Sequence, residues 1–133
     1  MPQFDAAAVV HRLNRAGRTM LALPERQTLQ GLTWFKNWMD AARLHLPDMG
    51  AAVPDEGERA LASEAFGWLP LIPTDRLRRI VAARCLISPV VERHLFSWRT
   101  LGKLLGADHK TIRCWHGQGI DLIVAALRER VVA

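Results

Sequence analysis

Positions 97–115 carry the sequence SWRTLGKLLGADHKTIRCW, which predicts two short helices joined by a tight turn. We expect Gly106 at the turn, because glycine adopts a positive φ at little cost. Gly102, four residues earlier, leaves room for the two helices to approach closely. Ser97 and Asp108 are suitable N-caps, one for each helix. The pattern predicts a helix-turn-helix over Ser97–Val124, and the alternative is a plain helical hairpin.

The apolar residues of this stretch recur at helical spacing and would hold the two helices together. The expected core of the motif consists of Leu101, Gly102, Leu105, Gly106, Ile112 and Trp115. Beyond it, Gly117 and Gly119 would each cost about 1 kcal/mol inside a helix. The second helix could therefore end near His116, with another over Ile120–Val131, but we favour one continuous helix.

The basic residues concentrate in the C-terminal half of the chain. Residues 1–75 carry seven Lys or Arg and nine Asp or Glu, whereas residues 76–133 carry eleven and four. The net charges of the two parts are therefore −2 and +7. A positive surface attracts polyanions through counterion release, so double-stranded DNA is the expected partner, ahead of an anionic membrane.

The second helix of the motif would present polar side chains to the major groove. The residues that we expect to read bases are His109, Lys110, Arg113 and Cys114, and those expected to contact the DNA backbone are Arg99, Thr100 and Lys103. Arg113 is the strongest base-reading candidate, because a guanidinium can bond two acceptors of guanine at once. The alternative is that these cations only solvate an exposed helix, and that the motif makes protein contacts.

Proline and glycine divide the remaining sequence into helical segments, which predicts an all-α, compact helical bundle. The first segments are a helix over Gln3–Leu23, a helix over Thr33–Leu46 and a loop over Pro47–Pro54. A third helix follows, with the apolar residues Ala60, Leu61, Ala65, Phe66, Trp68 and Leu69. A fourth helix begins at Thr74 and Asp75 and carries Leu77, Ile80, Val81 and Leu86, and a connector over Val90–Phe96 with one or two helical turns comes after it. We assign residues 1–72 to a scaffold and residues 73–133 to the DNA-binding region, within one domain overall.

Two helices of the predicted scaffold have distinct faces. In the first, Val9, Leu13, Ala16 and Met20 would be buried, while Arg12, Arg15 and Arg18 would point outward. In the second, the apolar face consists of Trp34, Phe35, Trp38 and Met39. These residues belong either to the core or to a candidate oligomer interface, and aromatic residues at helical spacing are more often found in the core.

Several other classes of protein are disfavoured. The two cysteines, Cys85 and Cys114, are too few for a disulfide framework, which favours reduced, packed thiols and the cytoplasm. No apolar run is long enough to cross a bilayer. Cys114, His116 and His109 lack the further ligands of a zinc site, and no catalytic constellation is present. We therefore expect no enzyme, cofactor, metal, membrane or small-molecule substrate.

The chain resembles a functionally uncharacterised family of short phage and prophage proteins, especially from alphaproteobacteria. The residues that carry the resemblance are Val10–Pro24, Thr33-Trp34, Ala65-Phe66-Gly67-Trp68-Leu69, Arg78-Arg79-Ile80-Val81 to Ala83-Arg84, and Trp98-Arg99-Thr100-Leu101 to Trp115. The last part is also similar to the DNA-binding region of sigma-factor region four. The chain departs from the family pattern at Phe35, where proline is expected, and in its longer connector over Ile87–Phe96.

This resemblance implies a phage-related role on DNA. A transcriptional regulator, with a dimer as the favoured homo-oligomer, is the leading hypothesis. A small terminase subunit that recognises phage DNA for packaging is the second, although its DNA-binding motif would be expected near the N-terminus. A third hypothesis is a protein-interaction adaptor whose basic face binds an acidic partner.

Overall fold

The computed structural model of the protein describes residues 4–23 and 52–132. These residues form the helices α1 (Ala6–Ala22), α2 (Glu56–Phe66), α3 (Asp75–Arg84), α4 (Trp98–Leu105) and α5 (His109–Val132), together with a 3-10 turn over Leu69–Leu71. No strand occurs within these two ranges, and the predicted all-α class is confirmed. The predicted helix over Thr33–Leu46 lies outside the described residues, as do Trp34, Phe35, Trp38 and Met39.

Helix α1 begins at Ala6 rather than at Gln3 because Asp5 caps it. An Asp5 carboxylate oxygen accepts a hydrogen bond from the Ala8 N–H at 2.8 Å, which satisfies one of the free amides of the first turn. The predicted inward face is confirmed, since all four of its residues are buried: Val9, Leu13, Ala16 and Met20. The prediction that Arg12 points outward was wrong. Its guanidinium lies 5.1 Å from the Trp68 ring centroid and 3.5 Å from the Glu64 carboxylate.

Helix α2 ends earlier than its apolar pattern predicts. Asp55 caps its start by accepting a hydrogen bond from the Glu58 N–H, also at 2.8 Å. Gly67 follows the last residue, and the chain continues into the 3-10 turn instead of extending the helix through Trp68 and Leu69. Both of these side chains are nevertheless buried, whereas Leu61 is exposed. The apolar pattern was thus a better guide to burial than to the end of the helix.

The segment between α3 and α4 is a turn rather than the one or two helical turns that were predicted. Helix α3 ends at Arg84, so Leu86 is buried beyond it and not on it. Ile87 and His94 then form an isolated antiparallel bridge, closed by a hydrogen bond from the Ser88 N–H to the Arg93 carbonyl at 2.9 Å. Glu92 has a φ of 58°, which a right-handed helix does not allow, so the predicted helical turns over Val90–Phe96 do not form.

Helix α5 is continuous through both glycines, as the sequence analysis favoured. It belongs to two hydrophobic clusters. Its C-terminal part contributes Ile120, Ile123, Val124 and Leu127 to a main cluster with α1, α2, the 3-10 turn and α3. Its first turn contributes Ile112 to a smaller cluster with α3 and α4. One rigid helix therefore joins the two parts of the fold.

No helix in residues 4–23 and 52–132 combines the length and the apolar composition that a bilayer span requires.

A close approach of α1 to the end of α3 gives the first prediction. A Cβ at Gly17 would collide with the carbonyl oxygen of Cys85, whereas a Cβ at Gly117 in α5 would meet nothing within 4 Å. We expect Gly17→Ala to lower the free energy of unfolding by about 1–3 kcal/mol, because backbone must move. The matched variant Gly117→Ala should raise it by about 1 kcal/mol through helix propensity. Urea unfolding measures both, and equal stability of the two variants would contradict this packing.

Candidate nucleic-acid interface

A three-residue turn of Gly106, Ala107 and Asp108 joins α4 to α5. Gly106 has a φ of 71°, the left-handed conformation predicted for it and the usual one after the last residue of a helix. Its N–H bonds to the carbonyl of Gly102, and the Ala107 N–H reaches the same oxygen at 3.0 Å. The turn therefore folds back tightly onto α4.

Gly102 is required by the turn rather than by a neighbouring helix. A Cβ at this position would collide with the carbonyl oxygen of Ala107. A close approach at Gly102 was predicted from the sequence, but between the two helices and not with the backbone that joins them. Any larger residue would push the turn, and with it the start of α5, away from α4.

Both predicted N-caps are present. The Ser97 hydroxyl accepts a hydrogen bond from the Thr100 N–H at 3.1 Å, and an Asp108 carboxylate oxygen accepts one from the Thr111 N–H at 2.7 Å. The Thr111 amide is the main cause of a lowered pKa at Asp108, because it stabilises the charged carboxylate. These bonds set where the two helices begin and which side chains occupy their first turns.

The smaller hydrophobic cluster fixes α4 and α5 to α3. Its fully buried residues are Ile80, Ala83, Leu101 and Ile112. Leu105 and Trp115, which were also expected in the core, are half-buried and pack against this cluster. The orientation of α5 around its own axis is therefore set by Ile112 on one side.

Most of the residues predicted to read bases lie on the part of α5 that faces away from this cluster. Lys110, Arg113 and Cys114 are exposed, while His109 is half-buried. Neither Lys110 nor Arg113 forms an ion pair with another described residue; the ion pairs there involve cations of α1 and α3. The start of α5 thus presents Lys110 and Arg113 without an ion pair to any described carboxylate, Asp108 included.

Helix α4 lies beside this surface and exposes Arg99, Thr100 and Lys103. Arg99, Lys103 and His109 border a shallow, open depression whose floor includes the turn. The residues predicted to contact bases and those predicted to contact the backbone therefore occupy adjoining parts of one surface.

The Trp98 cluster, formed by Arg84, His94, Trp98, Arg113 and His116, was not predicted. The guanidinium carbons of Arg84 and Arg113 lie 4.1 and 5.8 Å from the Trp98 ring centroid, within the range of cation–π attraction. The His116 ring meets Trp98 edge-on at 5.1 Å. The Nδ1–H of His94 donates to the Arg84 carbonyl at 2.6 Å.

Positive charge and burial together determine the protonation of the Trp98 cluster. Burial is the largest cause of a lowered pKa at Arg84, and the charge of Arg113 adds to it. Burial also lowers the pKa of His116 to about 4, with further contributions from Arg84 and His94. The pKa of His94 is lowered by burial and by Arg84, although its hydrogen bond opposes the shift. Both histidines are therefore neutral at pH 7.

The two cysteines differ in their surroundings, and both are free. Cys85 is buried, which raises the pKa of its thiol to about 12, and its Sγ–H donates to the Ala82 carbonyl. Cys114 is exposed, so its assignment as a packed thiol was wrong. Within residues 4–23 and 52–132, no three His, Cys, Asp or Glu side chains are grouped in a way that could hold a metal ion.

Comparison with known proteins adds no relative: no protein-family model, no curated protein and no solved structure matches the chain.

The neutral His116 gives the second prediction. Its pKa is lower in the folded protein than its ordinary value of 6.5, so the unfolded chain takes up the proton first. Stability should be complete above pH 6.5 and fall towards pH 4, by up to about 1.4 kcal/mol per pH unit for this group. His116→Phe should reduce this loss of stability at acid pH. Part of the loss should remain, because the pKa of His94 is lowered as well. Urea unfolding at several pH values tests this; an unchanged acid profile in the variant would contradict it.

Proposed function

We propose that the protein binds duplex DNA through α4 and α5, with the first turns of α5 in the major groove. The observation that carries this proposal is the exposure of Lys110 and Arg113, without ion-pair partners among the described residues, on the part of α5 that the cluster around Ile112 does not cover. An α-helix with its side chains is about 10–12 Å across, which matches the major groove. The excess positive charge of residues 76–133 supports the same partner.

Within this proposal the contacts divide between the two helices. Arg113 reads a guanine, with Lys110, His109 and Cys114 beside it on α5. Arg99, Thr100 and Lys103 on α4 contact phosphates, which set the position of the protein but do not read sequence. The tight turn and the smaller hydrophobic cluster support this division, because they hold both helices in one arrangement before DNA binds.

The biological role that we propose is transcriptional regulation in a phage-related setting. The family resemblance of the sequence supports the phage-related setting. DNA recognition needs no catalytic residues, which is compatible with the few polar side chains on this surface. A regulator must recognise particular DNA sequences, so the experiments must measure the sequence specificity of DNA binding.

The third prediction concerns binding to duplex DNA as such. We expect affinity for duplex DNA, measured by fluorescence anisotropy at several salt concentrations, to fall steeply as salt rises. The double variant Lys110→Ala/Arg113→Ala should bind at least tenfold more weakly at low salt. Arg128→Ala/Arg130→Ala is the matched control, because it removes the same charge from exposed positions at the far end of α5.

The control pair should retain most of the affinity of the wild-type protein. An equal loss in both double variants would show that only net charge matters, and that α5 has no defined role in binding. A wild-type protein that fails to bind any duplex at low salt would refute the proposed function and leave the protein-interaction adaptor as the better hypothesis.

The fourth prediction separates base contacts from backbone contacts. After selection of a preferred sequence from a random duplex library, Arg113→Ala should lose about 1–3 kcal/mol of discrimination at one base pair. Lys103→Ala should weaken binding to preferred and random duplexes by the same factor, because a phosphate contact does not depend on sequence. If Arg113→Ala weakened all sequences alike, Arg113 would be a phosphate-binding residue instead.

A further inference from the structure

Arg84 is a half-buried cation whose hydrogen-bonding capacity is mostly unused. A guanidinium carries five N–H donors. One Nη1–H of Arg84 donates to the Phe96 carbonyl at 3.0 Å, and its guanidinium carbon lies over the Trp98 ring, 4.1 Å from the centroid. No other described residue accepts a hydrogen bond from Arg84 or forms an ion pair with it. Among the described residues, therefore, nothing occupies the remaining donors, and a ligand can use them.

The surroundings of Arg84 favour an anion as that ligand. Arg113 is held against the same indole, so two guanidinium groups share one aromatic side chain. The charges that lower the pKa values of Arg84, His94 and His116 come from arginine or histidine, and no described carboxylate forms an ion pair with Arg84. Two cations repel each other in this arrangement, and a bound anion would remove that repulsion.

The location of Arg84 connects it to the proposed interface. Trp98 is the first residue of α4 and immediately precedes Arg99, and Arg113 lies on the exposed face of α5. Although Arg84 comes from α3, its contact with Trp98 therefore places its guanidinium close to Arg113, which the proposed function assigns to DNA.

We propose that Arg84, held on the face of Trp98, binds a phosphate group, which in the DNA complex is a backbone phosphate at the edge of the groove entered by α5. The assignment of the phosphate to DNA rests on the proposed function, whereas the phosphate site itself does not. Guanidinium groups bind phosphate oxygens with two parallel N–H donors, and the contact with Trp98 together with the hydrogen bond to the Phe96 carbonyl holds this guanidinium in place before the ligand arrives. Arg113 raises the local potential, and its exposed side chain, which contacts Trp98 at the longer distance of 5.8 Å, leaves the ring to reach a base in the DNA complex.

The fifth prediction uses the salt dependence of duplex binding to test this site. Arg84→Gln removes the charge but keeps an amide that can donate to the Phe96 carbonyl. Its plot of log affinity against log salt should be shallower than that of the wild-type protein by about 0.9, the value for one phosphate contact. The loss should be the same for preferred and random duplexes, since a phosphate carries no sequence information. Arg84→Lys, which keeps the charge, should retain most of the wild-type slope.

Arg128→Gln is the matched control for loss of one positive charge and should leave the slope unchanged. Arg84→Lys also guards against a folding defect, because a variant that lost its structure would lose binding whatever its charge. Circular dichroism spectra of both Arg84 variants provide the direct check of folding. A wild-type slope in Arg84→Gln, with duplex binding intact, would overturn the phosphate site and leave the proposed function standing.

A second measurement uses inorganic phosphate and no DNA. In ¹H–¹⁵N spectra of the wild-type protein, phosphate should shift the Nε–H signal of Arg84 and the indole N–H signal of Trp98, and Arg84→Gln should abolish the indole shift. Such shifts in a protein that does not bind duplex would support the phosphate site while refuting the proposed function. A shallower slope without these shifts would assign the site to the nucleic-acid backbone rather than to free phosphate. If the protein neither bound duplex DNA nor showed these shifts, both the proposed function and the phosphate site would be refuted.

Discussion

The burial of one face of α5 in two separate hydrophobic clusters is the constraint on which the rest of the structure depends. Ile112 packs with α3 and α4, and Ile120 and Ile123 belong to the main cluster with α1, α2, the 3-10 turn and α3. Since a continuous helix transmits orientation along its whole length, the C-terminal cluster helps to determine which side chains the first turns of α5 expose. Large apolar residues on the far part of the helix therefore contribute to the geometry of the candidate interface without touching it.

The polar side of the same surface is organised by one aromatic ring. Trp98 holds Arg84 and Arg113 by cation–π attraction, and the neighbouring histidines are too buried to take up protons at neutral pH. Positive charge is thus retained in guanidinium groups, which remain charged under all physiological conditions. Such an arrangement leaves a cationic surface that is structured before binding, a property that reduces the entropic cost of recognition.

Local chemistry accounts for the parts of the structure that were predictable. Gly106 adopts a positive φ, Ser97 and Asp108 cap their helices, and the inward residues of α1 are buried, because each of these features depends on residues within a few positions. The ends of helices were predicted less well. The connector after α3 was predicted as helical, and the backbone instead forms a turn with a bridge between Ile87 and His94.

The sequence by itself determined the helical class, the turn between α4 and α5, and which residues of that unit carry positive charge, since propensity, capping and periodicity act over short distances along the chain. Only the tertiary structure decided that Arg84 joins Arg113 on Trp98, that Gly102 faces the turn backbone, and that Arg12 folds over Trp68. These contacts join residues from different helices or from a helix and a turn, and their geometry is set by how the hydrophobic faces pack together, which no local pattern of residues records.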